Sequence, residues 1–267
     1  MRHLAGIRNP EIMPTKNEIL AVRALRDRKT RWAERKFIVE GRKMVEEALS
    51  SGWELQAVYA TEGNMPGSLE PTEWVSVKAM ERMSAMRTAP GVLAVVRMPE
   101  GIQDGSAGGH GDSPLLSIAL DGMADPGNLG TIIRTADWFG VSDIWISEDS
   151  VDVFNPKVVQ ATMGAIFRVN IRVCHLSTAL KGLKSAGACI WGLDLEGDSL
   201  WNEARESRPT VAVLGSESHG ISAEVREVCT AFIHIPGAGL SESLNAAMAA
   251  GIVMAVHDGL RRRITAE

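Results

Sequence analysis

The sequence predicts an α/β protein in two parts: a small amino-terminal α/β domain over residues 1–98 and a larger domain over 115–267 built on a parallel sheet. Three observations carry this reading. Beyond residue 115 short apolar runs alternate regularly with helical periodicity, the signature of strands joined by helical crossovers. Between Met98 and Pro114 the stretch Pro99–Ser113 holds five glycines and almost nothing to bury, so 99–114 reads as a flexible linker. Charge also differs across it: Met1–Met98 has 16 Lys and Arg against 12 Asp and Glu, net +4, and the remainder has 12 against 21, net −9.

In the first part, helical periodicity in Lys16–Arg28 and Gly41–Ser51 alternates with strand-like runs at Lys36–Glu40, Leu55–Ala60, Trp74–Val77 and Val92–Val96. Its densest basic stretch is Arg23, Arg26, Arg28, Lys29, Arg31, Arg35 and Lys36, with Trp32 inside and Phe37 just after. That composition suits phosphate contacts plus base stacking; a solvated helix face is the other reading. No catalytic cluster is visible in this part.

In the second part, Leu115–Leu120 reads as a strand, Leu129–Phe139 as a helix stopped by Gly140, Asp143–Ser147 as a strand and Pro156–Ala165 as a helix with proline at its start. Strands near Arg168–Cys174, Cys189–Leu195, Val211–Leu214 and Phe232–Ile235 follow, separated by helices at Ser177–Ala186, Ser222–Cys229 and Ser243–Arg261. The pattern implies a parallel sheet covered on both faces. Gly, Ser and Asn crowd the ends of the last strands, where open α/β sheets gather their ligands.

Composition excludes several classes. With 45% hydrophobic and 23% charged residues the chain has ordinary globular composition. The longest nearly apolar stretch, Ala246–Val256, is shorter than the roughly 20 residues of a membrane span, and the amino terminus lacks a signal-peptide pattern. A cytoplasmic protein is expected. Cys174, Cys189 and Cys229 are an odd number without CxxC spacing or a His cluster, so buried reduced thiols are expected rather than disulfides or a metal site. The dinucleotide fingerprint is missing, since Gly237-Ala-Gly239-Leu-Ser-Glu242 carries Glu at the third glycine. No P-loop occurs, and Gly215–His219 does not complete a nucleophile elbow.

Three segments nevertheless stand in a recognisable order: Asp125-Pro-Gly-Asn128-Leu-Gly130-Thr-Ile-Ile-Arg134-Thr-Ala, Leu214-Gly-Ser-Glu217-Ser-His-Gly220, and Ile235-Pro-Gly-Ala-Gly239 through Ser243-Leu-Asn245. They resemble the three motifs of the SpoU-type (TrmH-like) RNA 2′-O-ribose methyltransferases of the SPOUT superfamily. Phe154–Phe167 matches the family between its first two motifs, so the resemblance covers roughly Leu115–Val256. The first part, with Phe37-Ile-Val-Glu40-Gly41 and Ala89-Pro-Gly91–Val96, looks like the family's substrate-binding domain, itself similar to a small ribosomal protein. The resemblance implies S-adenosylmethionine as methyl donor, a homodimer through the carboxyl-terminal domain, and a deep trefoil knot. Periodicity alone argues against the knot, because knots are nearly absent among folds.

The cofactor positions that the resemblance implies are Gly215, Ile235 and Leu244, with Leu214, Ser216 and Pro236 beside them. Small residues let backbone groups approach adenosine, and Ile235 and Leu244 offer apolar walls; as residues alone, Gly215 is equally a turn residue and Leu244 a core residue. Methyl transfer to a ribose hydroxyl requires help with proton loss and alignment of oxygen, carbon and sulfur. Arg134 matches the family arginine assigned to hydroxyl activation. A guanidinium with pKa above about 12 fits phosphate binding and alkoxide stabilisation more easily than base catalysis. Asn128 and Asn245 are expected to orient ribose, cofactor or their loops, and Glu217 either to pair with Arg134 or to accept from substrate. Ser243 is both a motif residue and a candidate N-cap, and His219 reads as a loop residue.

The function expected is S-adenosylmethionine-dependent 2′-O-methylation of structured RNA, with large-subunit (23S) rRNA favoured by the amino-terminal domain. A tRNA methyltransferase, or a non-catalytic RNA-binding ribosome-assembly factor, is the alternative.

Overall fold

The computed structural model describes residues 14–64, 73–103, 115–203 and 208–264. Most of the expected linker, residues 104–114, lies outside them. The chain forms two compact units, one of Met1–Pro99 with Asp152–Phe167, the other of Glu100–Val151 with Arg168–Glu267.

The first unit begins with α1 (Lys16–Ala24), opened by a reciprocal capping box between Thr15 and Glu18. Where one helix was expected over Lys16–Arg28, the chain turns and starts α2 (Arg28–Glu34), because the Asp27 side chain accepts from the Thr30 N–H as a new N-cap. Arg35 in the left-handed region (φ 55°) ends α2 and leads into β1 (Lys36–Glu40). Helix α3 (Arg42–Ser50) and strand β2 (Leu55–Ala60) follow as read from the sequence. The strand expected at Trp74–Val77 is only the two-residue β3 (Glu73–Trp74); Ser76 caps Ala79 N–H and turns the chain into α4 (Val77–Met83), buried along Ala79, Met80 and Met83. Strand β4 (Val92–Arg97) completes a four-stranded sheet of order β1-β4-β2-β3. It runs antiparallel to β1 (Phe37 opposite Val96) and to β2 (Tyr59 opposite Leu93), and β3 lies parallel to β2.

The basic stretch Arg23–Lys36 is partly interior. Arg31 is 1% exposed, and its guanidinium pairs with the carboxylate of Asp152 while also donating to the carbonyls of Leu25 and Arg26. Trp32 Nε1 donates to the same carboxylate at 3.2 Å, and its ring meets Phe154 edge-on. Phe37 is fully buried, 4.6 Å from Phe154 between ring centroids. The expectation that Trp32 and Phe37 stack on bases is therefore corrected: Phe154 and Asp152 occupy them. Helix α6 (Pro156–Thr162), capped by Asn155, and a 3-10 turn at Ala165–Phe167 belong to this unit. The expected helix over Pro156–Ala165 stops earlier because Met163 takes a left-handed conformation.

The second unit holds six parallel strands: β5 (Leu116–Leu120), β6 (Asp143–Ser147), β7 (Asn170–Cys174), β8 (Cys189–Ser199), β9 (Thr210–Leu214) and β10 (Ala231–His234), in the order β10-β8-β9-β5-β6-β7. Alternate residues such as Val211 and Val213 pack with α7 (Leu176–Ser185) and α9 (Ala223–Arg226) in one apolar core. On the sheet, α10 (Ala246–Ile264) packs against β5, β9 and α5 (Pro126–Phe139). Part of the expected linker is built in: Ile102 is 4% exposed and its carbonyl accepts from Val173 N–H, adding to the edge at β7.

Two departures from the expected elements shape the site. Strand β8 runs past Leu195 to Ser199, and its pairing with β10 jumps from Gly192–Phe232 to Asp198–Ile233, leaving residues 193–197 as a wide bulge. The chain then forms α8 (Leu200–Glu203), which no sequence signal marked.

Candidate active site

The sheet order reverses at β5 and β9: the chain leaves β5 toward β6 on one side, and β9 arrives from the other. A crevice at the carboxyl ends of such strands is the standard ligand position in an open α/β sheet. Here the two outgoing loops are tied together. Asp121, 6% exposed, donates its N–H to the Leu214 carbonyl at 2.9 Å and accepts Ser222 N–H on Oδ2 at 2.7 Å. The Gly215–Gly220 loop is closed by backbone bonds in both directions between Ser216 and Gly220 (3.0 and 2.9 Å). A methyl group on Gly215 would stand 2.1 Å from the Gly220 carbonyl carbon, so the loop closes only over a residue without a side chain.

That loop presents Glu217 to Asn128. Asp125 caps α5 by accepting Asn128 N–H at 2.8 Å, which starts the helix three residues before the expected Leu129 and fixes Asn128 in its first turn. The Asn128 amide nitrogen donates to Glu217 Oε1, and its oxygen accepts from Asn245 Nδ2 at 3.0 Å. Asn245 Oδ1 in turn accepts the N–H groups of Ala247 (2.9 Å) and Met248 (3.3 Å) at the start of α10. The direction of this chain follows from chemistry: a carboxylate only accepts, a backbone N–H only donates, and each amide between them has one orientation that satisfies both neighbours. It starts at the positive end of a long helix and ends on a carboxylate.

These bonds correct two expectations. The N-cap of α10 is Asn245, not Ser243, because the Asn245 oxygen reaches the first free amides; Ser243 lies exposed two residues earlier. Glu217 pairs with Asn128 rather than with Arg134. Arg134 lies on the exposed side of α5, with no side-chain partner among the described residues. Asn128, Glu217 and Asn245 thus form one cluster, and Arg134 projects from the same helix outside it.

Of the expected cofactor positions, Leu214 is buried (3% exposed) and Gly215 and Ser216 are half-buried at the end of β9. Ser216 also lies against Gly122 in the loop after β5. Ile235 is half-buried after β10, Pro236 is exposed and Leu244 is 50% exposed, which removes its reading as a core residue. Exposed apolar side chains and open backbone at Gly237 and Gly239 suit a nucleoside better than they suit packing.

Sequence reasoning missed several supports. Asp121 ties the two loops, and His234 Nδ1 meets the Gly197 carbonyl at 2.6 Å, holding the bulge to the strand that delivers Ile235. In the same bulge, Asp194 pairs with Arg226, which holds its carboxyl below the ordinary range; the guanidinium also lies 4.4 Å over the Phe232 ring. A carboxylate just beyond a strand end is the only signal available for Asp121. Burial pushes the Cys174 and Cys229 thiols up to about 11, and among the described residues no group of His, Cys, Asp and Glu can hold a metal ion.

The SpoU rRNA Methylase family model matches residues 115–255, and an MRM3-like substrate binding domain model matches residues 16–94. The chain belongs to the SpoU rRNA methylase family. It is 29% identical over 238 residues to the 23S rRNA (guanosine(2553)-2'-O)-methyltransferase RlmP of Bacillus subtilis, covering 86% of this chain and 91% of that one. A TrmH-family structure from Porphyromonas gingivalis superposes with TM-score 0.81 at 36% identity, covering 94% of this chain and all of the other. The AdoMet-bound rRNA methyltransferase structure from Sinorhizobium meliloti also gives TM-score 0.81, at 29% identity over 94% of this chain and 98% of its own. An uncharacterized tRNA/rRNA methyltransferase of Mycolicibacterium smegmatis matches at 41% identity over 144 residues, where the chain spans about half (46%) of its length. No helix among the described residues is long and apolar enough to cross a membrane.

Proposed function

We propose that this protein transfers the methyl group of S-adenosylmethionine to a ribose 2′-hydroxyl of structured RNA, with 23S rRNA as substrate. The observation that carries the reading is the directed chain Asn245–Asn128–Glu217 at the carboxyl ends of β5 and β9, in a member of the SpoU rRNA methylase family. The residues at hand fit the cofactor. Leu214, Ile235, Pro236 and Leu244 supply apolar side chains, Gly215 and Ser216 are half-buried at the strand end, and none of the six places a charge against an adenine.

When bound, S-adenosylmethionine supplies an electrophilic methyl group on a sulfonium. The chain's own residues then position the nucleophile. Glu217, held through Oε1 by Asn128, keeps Oε2 for a ribose hydroxyl, and the two amides keep that carboxylate from rotating. Arg134 binds the phosphate of the target nucleotide and stabilises the developing alkoxide. Ser243, exposed beside Asn245, contacts substrate rather than the helix start.

The reading includes the deep knot of the SPOUT fold and a homodimer. Helices α5 and α10 pack on each other yet leave Trp138 82% and Met248 62% exposed, an apolar surface that a second copy would cover. Sedimentation of the wild type as a monomer at micromolar concentration would count against the dimer.

The catalytic assignment is tested by Arg134→Ala. Methyl transfer to 23S rRNA should be lost while calorimetry gives unchanged affinity for S-adenosylmethionine. Full activity would remove Arg134 from the mechanism, and a wild type that binds RNA without binding S-adenosylmethionine would replace the enzyme by a non-catalytic RNA-binding factor.

A further inference from the structure

The first unit contains a loop held from both sides by charged side chains. Glu40, at the end of β1 and only 4% exposed, accepts the Ser84 hydroxyl and the Ala85 N–H (2.8 Å) on its two carboxylate oxygens. Arg26 reaches the same place from the chain after α1, donating through Nη2 to the carbonyls of Arg82 (2.9 Å) and Ser84. Ser84, 2% exposed, takes the Met86 N–H on its hydroxyl at 3.1 Å. Further on, Gly91, at φ 77°, gives its carbonyl to Thr61 N–H at 2.8 Å.

What this framework presents is exposed: Met86 (39%), Arg87 and Thr88. Arg82, on the last turn of α4, and Arg23, one turn before Arg26 on the helix packed against α4, are exposed as well. Arg23, Arg82 and Arg87 have no side-chain partner among the described residues. Taking a carboxylate out of water to fix an exposed loop brings little to folding by itself, because a short apolar turn would close the same gap at lower desolvation cost. A loop fixed in advance does bring something to binding, since it lowers the ordering entropy lost when a partner docks.

We infer that the Ser84–Gly91 loop, flanked by Arg23 and Arg82, is a preformed RNA-docking face. Arg87 takes a backbone phosphate and Met86 packs on a ribose or base. The inference rests on the reading of the substrate as RNA. It assigns the phosphate contacts to residues outside the interior part of the Arg23–Lys36 stretch, in a part of the chain with net charge +4.

The test is filter binding of the full chain to transcribed 23S rRNA across a potassium chloride series, for wild type, Arg87→Lys and Arg87→Ala. Arg87→Ala should weaken binding about three- to tenfold and make the slope of log K against log salt shallower by about 0.7–0.9, the signature of one lost phosphate contact. Arg87→Lys should keep the slope. Melting temperature and affinity for S-adenosylmethionine should match wild type in both variants, because Arg87 supports no other side chain. Wild-type affinity and slope in Arg87→Ala would overturn the docking face. If wild type binds 23S rRNA through Arg87 without transferring methyl, the face stands and the catalytic reading falls; if wild type transfers methyl and Arg87→Ala binds equally well, only the face falls.

Discussion

Asn245 donates its side-chain amide to Asn128 at 3.0 Å across 117 residues of chain, and thereby couples the start of α10 to the first turn of α5. Neither amide is free to flip. The helix amides at Ala247 and Met248 fix the oxygen of Asn245, and the carboxylate of Glu217 fixes the nitrogen of Asn128. The catalytic reading therefore depends on orientation as much as on identity.

Asn128→Asp replaces the donor facing Glu217 by a second carboxylate. Methyl transfer should fall about a hundredfold, the cost of displacing a positioned group by roughly 1 Å, whereas the change in melting temperature at this half-buried position should be small by comparison. Rapid-quench assays of wild type and variant check it; undiminished turnover would detach the amide chain from catalysis.

Gly215→Ala forces a methyl group against the Gly220 carbonyl carbon, 2.1 Å away, where neither neighbour is a flexible side chain. The Gly215–Gly220 loop must open, costing about 1–3 kcal/mol by the usual scale of overpacking. Urea denaturation should register that loss, and calorimetry should register weakened binding of S-adenosylmethionine. Wild-type values in both would mean that the close approach is not required.

The pair Arg31–Asp152 is buried on both sides, with side chains 2% and 3% exposed. Among the described residues, Arg31→Ala leaves Asp152 with only Trp32 Nε1 and the Phe154 N–H as donors, and should destabilise by about 3–5 kcal/mol. Asp152→Ala alone should cost a similar amount, and the double variant less than the sum, because the second removal no longer strands a charge. Additive losses by denaturant unfolding would show that the two charges are not coupled.

Asp194 has its carboxyl held low, first by its hydrogen bond to Arg226. A carboxylate with a depressed folded-state pKa stabilises above its unfolded value, about 3.9, and loses that contribution as pH falls through the folded value. Asp194→Asn should therefore melt below wild type at neutral pH, and the two curves should converge in acid as pH falls through the folded value. A gap that persists unchanged in acid would assign the loss to packing rather than to charge.

The elements legible in the sequence are those whose signals are local. Lys36–Glu40, Leu55–Ala60 and Asp143–Ser147 are strands at the expected residues, because apolar runs bounded by polar or turn residues need no distant partner. The parallel sheet was legible for the same reason, in the alternation of runs and helical segments. What was not legible depends on separations that no pattern encodes. Arg31 and Trp32 read as a basic, base-stacking surface because Asp152, 121 and 120 residues away, is what makes them interior. Glu217 was as free to choose Arg134 as Asn128 until the loop closure at Gly215 fixed where it points. Ser243 and Asn245 are both good N-cap types, and only the observed bonds to Ala247 and Met248 separate them. The motifs mark the residues of the candidate site, and the fold divides them into a bonded cluster and a projecting arginine.

The ribose assignment is tested most directly by alkaline hydrolysis of 23S rRNA after incubation with the protein and methyl-labelled S-adenosylmethionine. A 2′-O-methyl group blocks cleavage at its own phosphodiester, so label should appear in alkali-resistant dinucleotides with wild type and be absent with Arg134→Ala. Label confined to mononucleotides would place the methyl group on a base and contradict the assignment of a ribose hydroxyl to this site.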